Sequence, residues 1–425
     1  MSPLQEADTT FAELLQDLPP ELAAQAREFQ AFTRARVLKT PEQLLRVVLL
    51  YCGLDQSLRT VSATCAQLGQ PLTDNAVRER LLACGPWLTA LLRQMMPSPT
   101  SGLVGRRLII VDGSVIQAPG ATTSDYRLHL GWDWFAQSLA FLEITDTKTG
   151  ESLAHFAWQT GDVALADRNY AKAAGIAATV ALGADVVVRL QPSNFRLQTL
   201  TGDPLDLAAA LRSASAATTT VTLNAQFVHA GKTIPVWVHA YRLPEEAANR
   251  ARQRCYRKAK KEMRGTPRAD TLLWCGWVII LTTIPPETLG AEVIGEYYRL
   301  RWQIELLIKR YKSLLHADHL RAKRGGALSL IYLSGKMLYA CLLERRAGAT
   351  SKARELTWRL WQMTAEQIRP LITGVAHWGK TLTTRAQTLL RERKRRRCYQ
   401  TAPRAGLALF QITTENSNGQ QALPA

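Results

Sequence analysis

Residues 106–114 of the chain are Arg-Arg-Leu-Ile-Ile-Val-Asp-Gly-Ser. The apolar run at 108–111 is typical of a short strand buried inside a sheet, and we expect this strand to end at Asp112-Gly113. Because strands that alternate with a helix form an α/β layer, the following segments predict an α/β fold. Further strands are predicted at 138–145, 163–166 and 185–190, with an Ala-rich helix at 171–182.

Downstream of this layer, residues 191–271 have the pattern of short alternating strands. At 233–243, Ile234, Val236 and Val238 fall on one face, and Trp237, His239 and Tyr241 fall on the other. A basic run follows at 251–268, and an apolar strand is expected at 272–283. We therefore predict a β-rich, basic insertion at 191–271, placed inside the α/β domain.

Upstream, residues 20–96 are expected to be helical. Ser57 can cap a helix that ends near residue 68, and Thr73 can cap the next, which carries Asn75, Arg78 and Arg80. A helix, a short turn and a helix with Asn and Arg near its start suit a helix-turn-helix DNA reader. A plain helical hairpin fits the same pattern equally well. The segment 97–102, rich in Pro and Ser, is predicted to be a linker.

One long helix is predicted at 290–316, after Pro285-Pro286. At 100° per residue its polar side chains Tyr298, Arg301, Glu305 and Lys312 project within an arc of roughly 60°. A separate arc is apolar and is expected to pack on the core. It comprises Leu300, Ile304, Leu307, Ile308, Tyr311, Leu314 and Leu315. The polar arc is either a functional face or a solvated face with an ordinary Arg301–Glu305 ion pair.

Asp112 and Asp167 each follow an apolar run that has the character of a strand. Because an unpaired buried carboxylate is costly, such residues sit in turns or face a cation. Either aspartate alone could be a turn or cap residue. Together with Glu305 on a nearby helix, they would form a cage of oxygen ligands suited to Mg²⁺ or Mn²⁺. Two such ions about 4 Å apart can activate water and stabilise a leaving 3′ oxygen.

The composition favours a polyanionic partner. The net charge is +18 and the pI is about 9.9, and each phosphate that a cation neutralises releases a counterion. Nucleic acid is the first candidate, and an anionic membrane surface is the second. No segment offers about 18 consecutive apolar residues, and the N-terminus has no signal-peptide pattern, so we expect a cytoplasmic or nucleoid location without a membrane. The 7 cysteines form no Cys-x-x-Cys pair and are expected to be small hydrophobes in a reducing compartment.

The spacing Tyr298-x-x-Arg301-x-x-x-Glu305-x-x-x-x-x-x-Lys312 matches the Y-R-E-K signature of insertion-sequence family 4 transposases. Val111-Asp112-Gly113-Ser114 and Ala166-Asp167-Arg168-Asn169-Tyr170 resemble that family's two aspartate motifs, although Asn169 stands where glycine is common. Shorter similarities occur at 126–129 and 150–153, so the resemblance covers about residues 105–340. The signature with both aspartate motifs in order is specific, whereas each aspartate motif alone is weak.

This resemblance implies a ribonuclease H-like core, interrupted by a β-rich insertion before the glutamate helix. It implies that Asp112, Asp167 and Glu305 bind two metal ions and carry catalysis. Phosphate and DNA contacts are expected from Tyr298, Arg301, Lys312 and Arg168. Some relatives form a DNA hairpin and flip a base onto a Trp of the insertion. Trp237, Trp274 and Trp277 are the candidates here, although core packing is the commoner role of a Trp.

We therefore predict a bacterial insertion-sequence transposase. It would cut at terminal inverted repeats of double-stranded DNA, join the 3′ hydroxyl to target DNA, and act as a homodimer. The alternatives are a non-catalytic DNA-binding protein or repressor derived from a transposase, and a nuclease that hydrolyses DNA without joining it. The expected division is a helical N-terminal DNA-binding domain at 1–100, the core at 101–190 and 272–345, the insertion at 191–271, and a helical basic C-terminal region at 346–425. That region contains the basic run 391–397, which suits either DNA contact or a solvated helix end.

Overall fold

The computed structural model describes residues 11–96, 106–117, 121–136, 138–263, 265–322, 326–350 and 358–373. The predicted linker at 97–102, the basic run at 391–397 and Cys398 lie outside these residues. The fold is mixed α/β, as predicted, and its eight strands form one sheet in the order β3-β2-β1-β4-β5-β8-β7-β6. The strands are β1 (Leu108–Ile116), β2 (Tyr126–Asp133), β3 (Ser138–Asp146), β4 (Val163–Ala166), β5 (Asp185–Arg189), β6 (Thr220–His229), β7 (Lys232–Arg242) and β8 (Trp277–Thr282).

Helices lie before, between and after the strands. The N-terminal helices are α1 (Leu22–Glu28), α2 (Pro41–Val48), which continues as a π-helix (Leu49–Gly53), α3 (Leu58–Gln67), α4 (Asp74–Leu82) and α5 (Gly85–Met95). Between the strands lie α6 (Ala173–Ala181), α7 (Leu207–Ser213), α8 (Glu245–Lys261) and α9 (Ala269–Trp274). The last four are α10 (Ala291–Leu300), α11 (Trp302–Leu315), α12 (Ala327–Thr350) and α13 (Trp358–Thr373).

Strand directions define one edge of the sheet that matters for function. β1, β4 and β5 run parallel, so their carboxyl ends meet at one edge. β8 runs antiparallel to β5, and β7 runs antiparallel to β8, so β8 begins and β7 ends at that same edge. We call it the carboxyl edge, and the tip of the β6–β7 hairpin lies at the opposite edge.

The segment predicted as a β-rich insertion has a different organisation. β6 and β7 do alternate, but they pair with β8 and so extend the central sheet. The basic run belongs mostly to the helix α8, not to strands, because its Arg, Lys and Ala residues favour a helix. The apolar strand predicted at 272–283 is also shorter, because residues up to Trp274 end α9.

The two faces of the sheet have separate cores. One face packs with the N-terminal helices and with α10 to α13, so the first and last described helices share a single core. The other face packs with α6 and α7. Residues 327–347 of α12 have the length and hydropathy of a membrane span, but 78% of that stretch is buried inside the protein. This helix therefore packs as a core helix in the fold.

The predicted helix pair in the N-terminal region is present. Ser57 and Thr73 cap α3 and α4 as expected, since their hydroxyls accept hydrogen bonds from the N–H groups of Thr60 and Ala76. Asn75 and Arg78 are exposed on α4. The arrangement is compatible with a helix-turn-helix reader, and reading of DNA by this pair stays a prediction.

Candidate active site

Asp112 and Asp167 lie side by side at the carboxyl edge. In the parallel pairing of β1 and β4, Leu108 is opposite Val163 and Ile110 is opposite Leu165. The same register, continued by two residues, sets Asp112 opposite Asp167. Contrary to our expectation, Asp112 does not end its strand, because β1 continues to pair with β2 as far as Ile116. Only the pairing of β1 with β4 stops before Asp112. The space beside Asp112 on the β4 side is therefore not filled by strand pairing.

The Asp112 carboxyl group is half-buried and lies close to other acids. Burial raises its pKa to about 6, a hydrogen bond from the Gly113 N–H lowers it, and the Asp167 charge raises it. Arg301 lowers it and Glu151 raises it to smaller extents. A carboxyl group with two neighbouring acids favours a bound cation, since like charges disfavour ionisation and a cation reverses that effect.

Asp167 also has the local capping role that its position allows. Its carboxylate accepts a hydrogen bond of 2.7 Å from the Asn169 N–H and caps a short 3₁₀ turn at Arg168–Tyr170. Asn169 does not adopt a positive φ, so the absence of glycine at this position needs no left-handed backbone. One carboxylate oxygen is thus engaged in the turn, while the residue still adjoins Asp112.

Glu305 lies in the first turn of α11, and Arg301 holds its carboxylate. The Arg301 guanidinium donates a 2.5 Å hydrogen bond to the Glu305 carboxylate, which is 54% exposed. Burial lowers the pKa of Arg301, but Glu305, Tyr298 and Asp112 raise it by more. Arg301 therefore interacts with both Glu305 and Asp112. Among the described residues, no three acidic, His or Cys side chains are already grouped to hold a metal ion.

The long helix predicted at 290–316 is in fact two helices that meet at Arg301. The N–H of Arg301 bonds to the Tyr298 carbonyl and that of Ile304 to the Arg301 carbonyl, both three residues apart. This tight turn interrupts the regular α-helical ladder. The predicted apolar stripe is confirmed: five of its seven residues are buried, and Ile308 and Leu314 pack against the same core.

The predicted phosphate-binding residues differ in their surroundings. Tyr298 is half-buried and hydrogen-bonds to Arg301; burial raises its pKa, and Asp167 is close enough to raise it further. Lys312 is half-buried and Arg168 is exposed, and neither has a side-chain partner within the described part of the chain. Their roles in DNA contact stay predictions.

Three further side chains border the aspartates. Glu151 lies so close to Gly113 that a Cβ on that glycine would come within 2.9 Å of its carboxylate. Tyr170 is buried, and its pKa is raised by burial and then by Asp112 and Glu151. Arg189, at the end of β5, lies near Tyr298. Glu151 and Tyr170 lay within sequence stretches noted above, but no residue spacing linked them to the site.

Of the three candidate tryptophans, Trp277 is 4% exposed and packs under the Arg242 guanidinium at 4.3 Å. It is thus a core residue, as favoured above. Trp237 and Trp274 are half-buried, so they stay candidates for stacking on a base.

Comparison with known proteins agrees with this geometry. The family described as "Transposase DDE domain" matches residues 104–339. The putative transposase InsL for insertion sequence element IS186A of Escherichia coli (strain K12) is 34% identical over 336 residues, which cover 77% of this chain and 90% of the relative. The transposase for insertion sequence element IS421 of Escherichia coli is 35% identical over 337 residues, with the same coverage.

A shorter match links the chain to a relative from a Bacillus species. The transposase for insertion sequence element IS231C of Bacillus thuringiensis subsp. berliner is 36% identical over 80 residues, or 19% of this chain and 16% of the relative. Transposases of this family act on DNA, and DNA is also the kind of polyanionic partner that the net charge of +18 favours. The family uses divalent metal ions. The chain belongs to the DDE transposase family of insertion sequences, and it is a DNA transposase.

Proposed function

We propose that this transposase cuts DNA at the terminal inverted repeats of its element and joins the freed 3′ hydroxyl to target DNA, with Asp112, Asp167 and Glu305 as its catalytic residues. The observation that carries the proposal is the side-by-side placement of Asp112 and Asp167 at the carboxyl edge. In support of a role for Glu305, Arg301 hydrogen-bonds to Glu305 and also interacts electrostatically with Asp112. The order β3-β2-β1-β4-β5, with β2 antiparallel and β4 and β5 parallel to β1, supports a ribonuclease H-like core.

The acids at the carboxyl edge fit divalent metal ions. Carboxylate oxygens are the ligands that Mg²⁺ and Mn²⁺ prefer. Burial raises the pKa of Asp112 to about 6 and the charges of Asp167 and Glu151 add to the rise, so a bound cation would favour the ionised carboxylate. We propose that Asp112, Asp167 and Glu305 hold two such ions. When bound, the ions activate water and stabilise the leaving 3′ oxygen.

Arg301 positions Glu305 and balances its charge. In the structure it hydrogen-bonds to Glu305 while also lowering the pKa of Asp112. The Glu305 side chain is 54% exposed, and we propose that its carboxylate turns toward Asp112 and Asp167 in the active complex. We propose that Arg301 is then freed to bind a phosphate oxygen, where its planar donors suit a phosphodiester.

Other residues around the site would hold the DNA strand. Tyr298 hydrogen-bonds to Arg301, Lys312 lies two turns after Glu305 on α11, and Arg168 directly follows Asp167. Cations here would stabilise charge that develops at phosphorus. We further propose that the α3–α4 pair reads the terminal repeat and that two copies of the chain act together on the two element ends.

The test is cleavage of a duplex oligonucleotide that carries the element's terminal inverted repeat. With Mg²⁺ or Mn²⁺, we expect nicking and strand transfer. Asp112→Asn, Asp167→Asn and Glu305→Gln should each lower the rate by at least two orders of magnitude, roughly the effect of removing one electrostatic group that stabilises a transition state. All three variants should still bind the duplex in a gel-shift assay.

A matched control is Glu292→Gln, which neutralises an exposed acid in the first turn of α10. It should cleave at the rate of the parent protein. Cleavage that persists in any of the three site variants would refute the role of that residue. Hydrolysis without joining of the 3′ hydroxyl would refute the proposed strand transfer.

A further inference from the structure

The helix α8 carries an unusual concentration of positive charge. Its 17 residues include seven cations and only two acids, Glu245 and Glu246, both in the first turn. Its inward face carries Ala248, which is 1% exposed, and the half-buried Arg252, Cys255 and Ala259. The other six cations are exposed and do not serve its packing.

Four of these cations form a straight stripe on the outer face. Relative to Arg250 at 0°, Arg254, Arg257 and Lys261 project at about 40°, −20° and 20°, given 100° per residue. Ala248, Cys255 and Ala259 fall at about 140° to 180° on the opposite side. We call the set Arg250, Arg254, Arg257 and Lys261 the basic stripe. It is exposed along its whole length, about 16 Å at 1.5 Å per residue.

The basic stripe has little internal neutralisation. Arg250 pairs with Glu246 at 3.6 Å, in a contact whose side chains are 66% and 90% exposed. Arg254, Arg257 and Lys261 have no ion pair or side-chain hydrogen bond within the described part of the chain. Exposed cations at this spacing repel one another, so the surface is better satisfied with an anionic partner than without one.

The connection that contains α8 begins and ends at the carboxyl edge. The chain leaves the sheet at Arg242, the end of β7, and re-enters it at Trp277, the start of β8. Both points lie at the carboxyl edge. The whole connection that contains α8 therefore starts and ends at the edge where Asp112 and Asp167 lie.

Side-chain contacts link α8 to the segment just before β8. A Cβ on Gly276 would lie 3.5 Å from the Arg252 guanidinium of α8, and Cys255 of α8 lies close to Cys275. Burial raises the pKa of Cys275 and of Tyr298, and the Arg189 guanidinium partly offsets the rise at both. The Arg189 guanidinium therefore lies close enough to interact with the Tyr298 hydroxyl and with the Cys275 thiol, which lies next to α8.

We propose that the basic stripe binds the phosphate backbone of duplex DNA that extends away from the reacting bond, without reading its base sequence. Regular cations on a helix, with no amide side chain in the stripe, suit phosphates and not base edges. A length of about 16 Å corresponds to roughly five base pairs at 3.4 Å each. The inference rests on the DNA transposase function, but not on the assignment of the catalytic residues.

A membrane surface fits the same helix less well. A helix that lies in a membrane interface needs a face of large apolar side chains directed to the lipid. In α8 the face opposite the basic stripe consists of small residues and the half-buried Arg252, all turned toward the protein. Duplex DNA is therefore the partner to which we commit.

The experiment measures how duplex binding depends on salt. The test variant is Arg254→Gln/Arg257→Gln. The matched control, Arg196→Gln/Lys232→Gln, removes the same charge from exposed residues, with Lys232 at the hairpin tip on the opposite edge. Binding of a 30-base-pair duplex is followed by fluorescence anisotropy over a KCl series, without divalent metal, so that the result is independent of the carboxylate chemistry. One duplex carries the terminal repeat and another has an unrelated sequence.

We expect the test variant to reduce the slope of log K against log[KCl] by about 1.8, since each phosphate contact contributes about 0.9. At 0.1 M salt this corresponds to an affinity loss on the order of 60-fold, on both duplexes. The control should retain the parent slope. Equal reductions in the two variants would show a general effect of net charge and overturn the proposal, as would an unchanged slope in the test variant.

A third variant keeps the test independent of folding. Arg254→Lys/Arg257→Lys preserves the charges and the helix, so a phosphate contact should restore the slope to within about 0.3 of the parent value, a small part of the 0.9 that one contact contributes. Failure of the Lys pair to restore the slope would refute a contact made by charge alone. Loss on the terminal-repeat duplex with no loss on the unrelated one would instead show base reading and overturn the proposal.

Discussion

Lys336 is a buried cation that joins three parts of the fold, and its removal is the most informative perturbation of stability. Its side chain is fully buried in α12, and its ammonium group donates hydrogen bonds to Asp55 and, at 2.7 Å, to the Leu315 carbonyl. Asp55 follows the π-helix, and Leu315 is the last residue of α11. The Tyr332 hydroxyl donates a further hydrogen bond of 2.5 Å to Asp55. One ammonium group thus links the N-terminal helices to the glutamate helix.

The cost of Lys336→Met follows from what it leaves behind. Removing one partner of a buried ion pair costs roughly 3–5 kcal/mol, because the remaining charge is uncompensated. The Asp55 carboxylate is 23% exposed and keeps its bond from Tyr332, which favours the lower end. The Leu315 carbonyl loses its side-chain donor, and an unsatisfied buried acceptor costs roughly 1–3 kcal/mol. The two contributions overlap, so we expect a loss of about 3 kcal/mol.

The assay is urea unfolding followed by tryptophan fluorescence, for the parent, Lys336→Met, Asp55→Asn and the double variant. Replacing both partners removes the uncompensated charge, so the double variant should lose at least 1 kcal/mol less than the sum of the single losses. A loss below 1 kcal/mol for Lys336→Met would refute the argument. Additive losses would show that Lys336 and Asp55 act separately.

Two further predictions test packing and pH dependence. Burial raises the pKa of Glu344 to about 8, partly offset by the Tyr311 hydrogen bond; the folded protein therefore holds a proton that the unfolded chain releases near pH 4.5. Stability should fall by up to about 1.4 kcal/mol per unit as pH rises from about 4.5 to about 8. Glu344→Gln should flatten this fall in urea midpoints at pH 5, 6.5 and 8, and an equally steep fall in the variant would contradict the assignment. Gly335→Ala should destabilise by roughly 1–3 kcal/mol, since its Cβ would lie 2.6 Å from the Cys52 sulfur. Gly290→Ala, with open space around it, should change the urea midpoint little, and equal effects of the two substitutions would count against the packing argument.

The sequence predicted the elements whose local pattern matches their surroundings. β4 and α6 were recovered within two residues, because an apolar run and an Ala-rich run indicate them unambiguously. The sequence pattern does not predict β2, because Tyr126–Asp133 mixes charged and apolar residues. This segment forms a strand because it pairs with β1 on one side and with β3 on the other. Pairing partners are set by long-range contacts, which no local pattern contains.

The α8 region shows where a local pattern leads to a wrong prediction. The alternation in β7 correctly predicts a strand. The prediction of a β-rich segment, however, also covered residues that form α8, whose Arg, Lys and Ala residues favour a helix. A basic composition alone does not decide between a loop and a helix. The spacing of Arg250, Arg254, Arg257 and Lys261 does, because four cations share one face only at helical periodicity.

For the site, the sequence identified the charged residues but did not predict which of them interact with one another. The Arg301–Glu305 pair that the spacing allowed as an ordinary ion pair is present, and Arg301 also acts on Asp112. The two readings of the polar arc are therefore not exclusive. The Arg301 guanidinium interacts with both Glu305 and Asp112 and so reduces the repulsion between their negative charges. A bound divalent ion would supply this positive charge instead. We therefore expect Arg301 to stabilise the site mainly in the metal-free protein. Once metal ions are bound, Arg301 should be available to bind a phosphate.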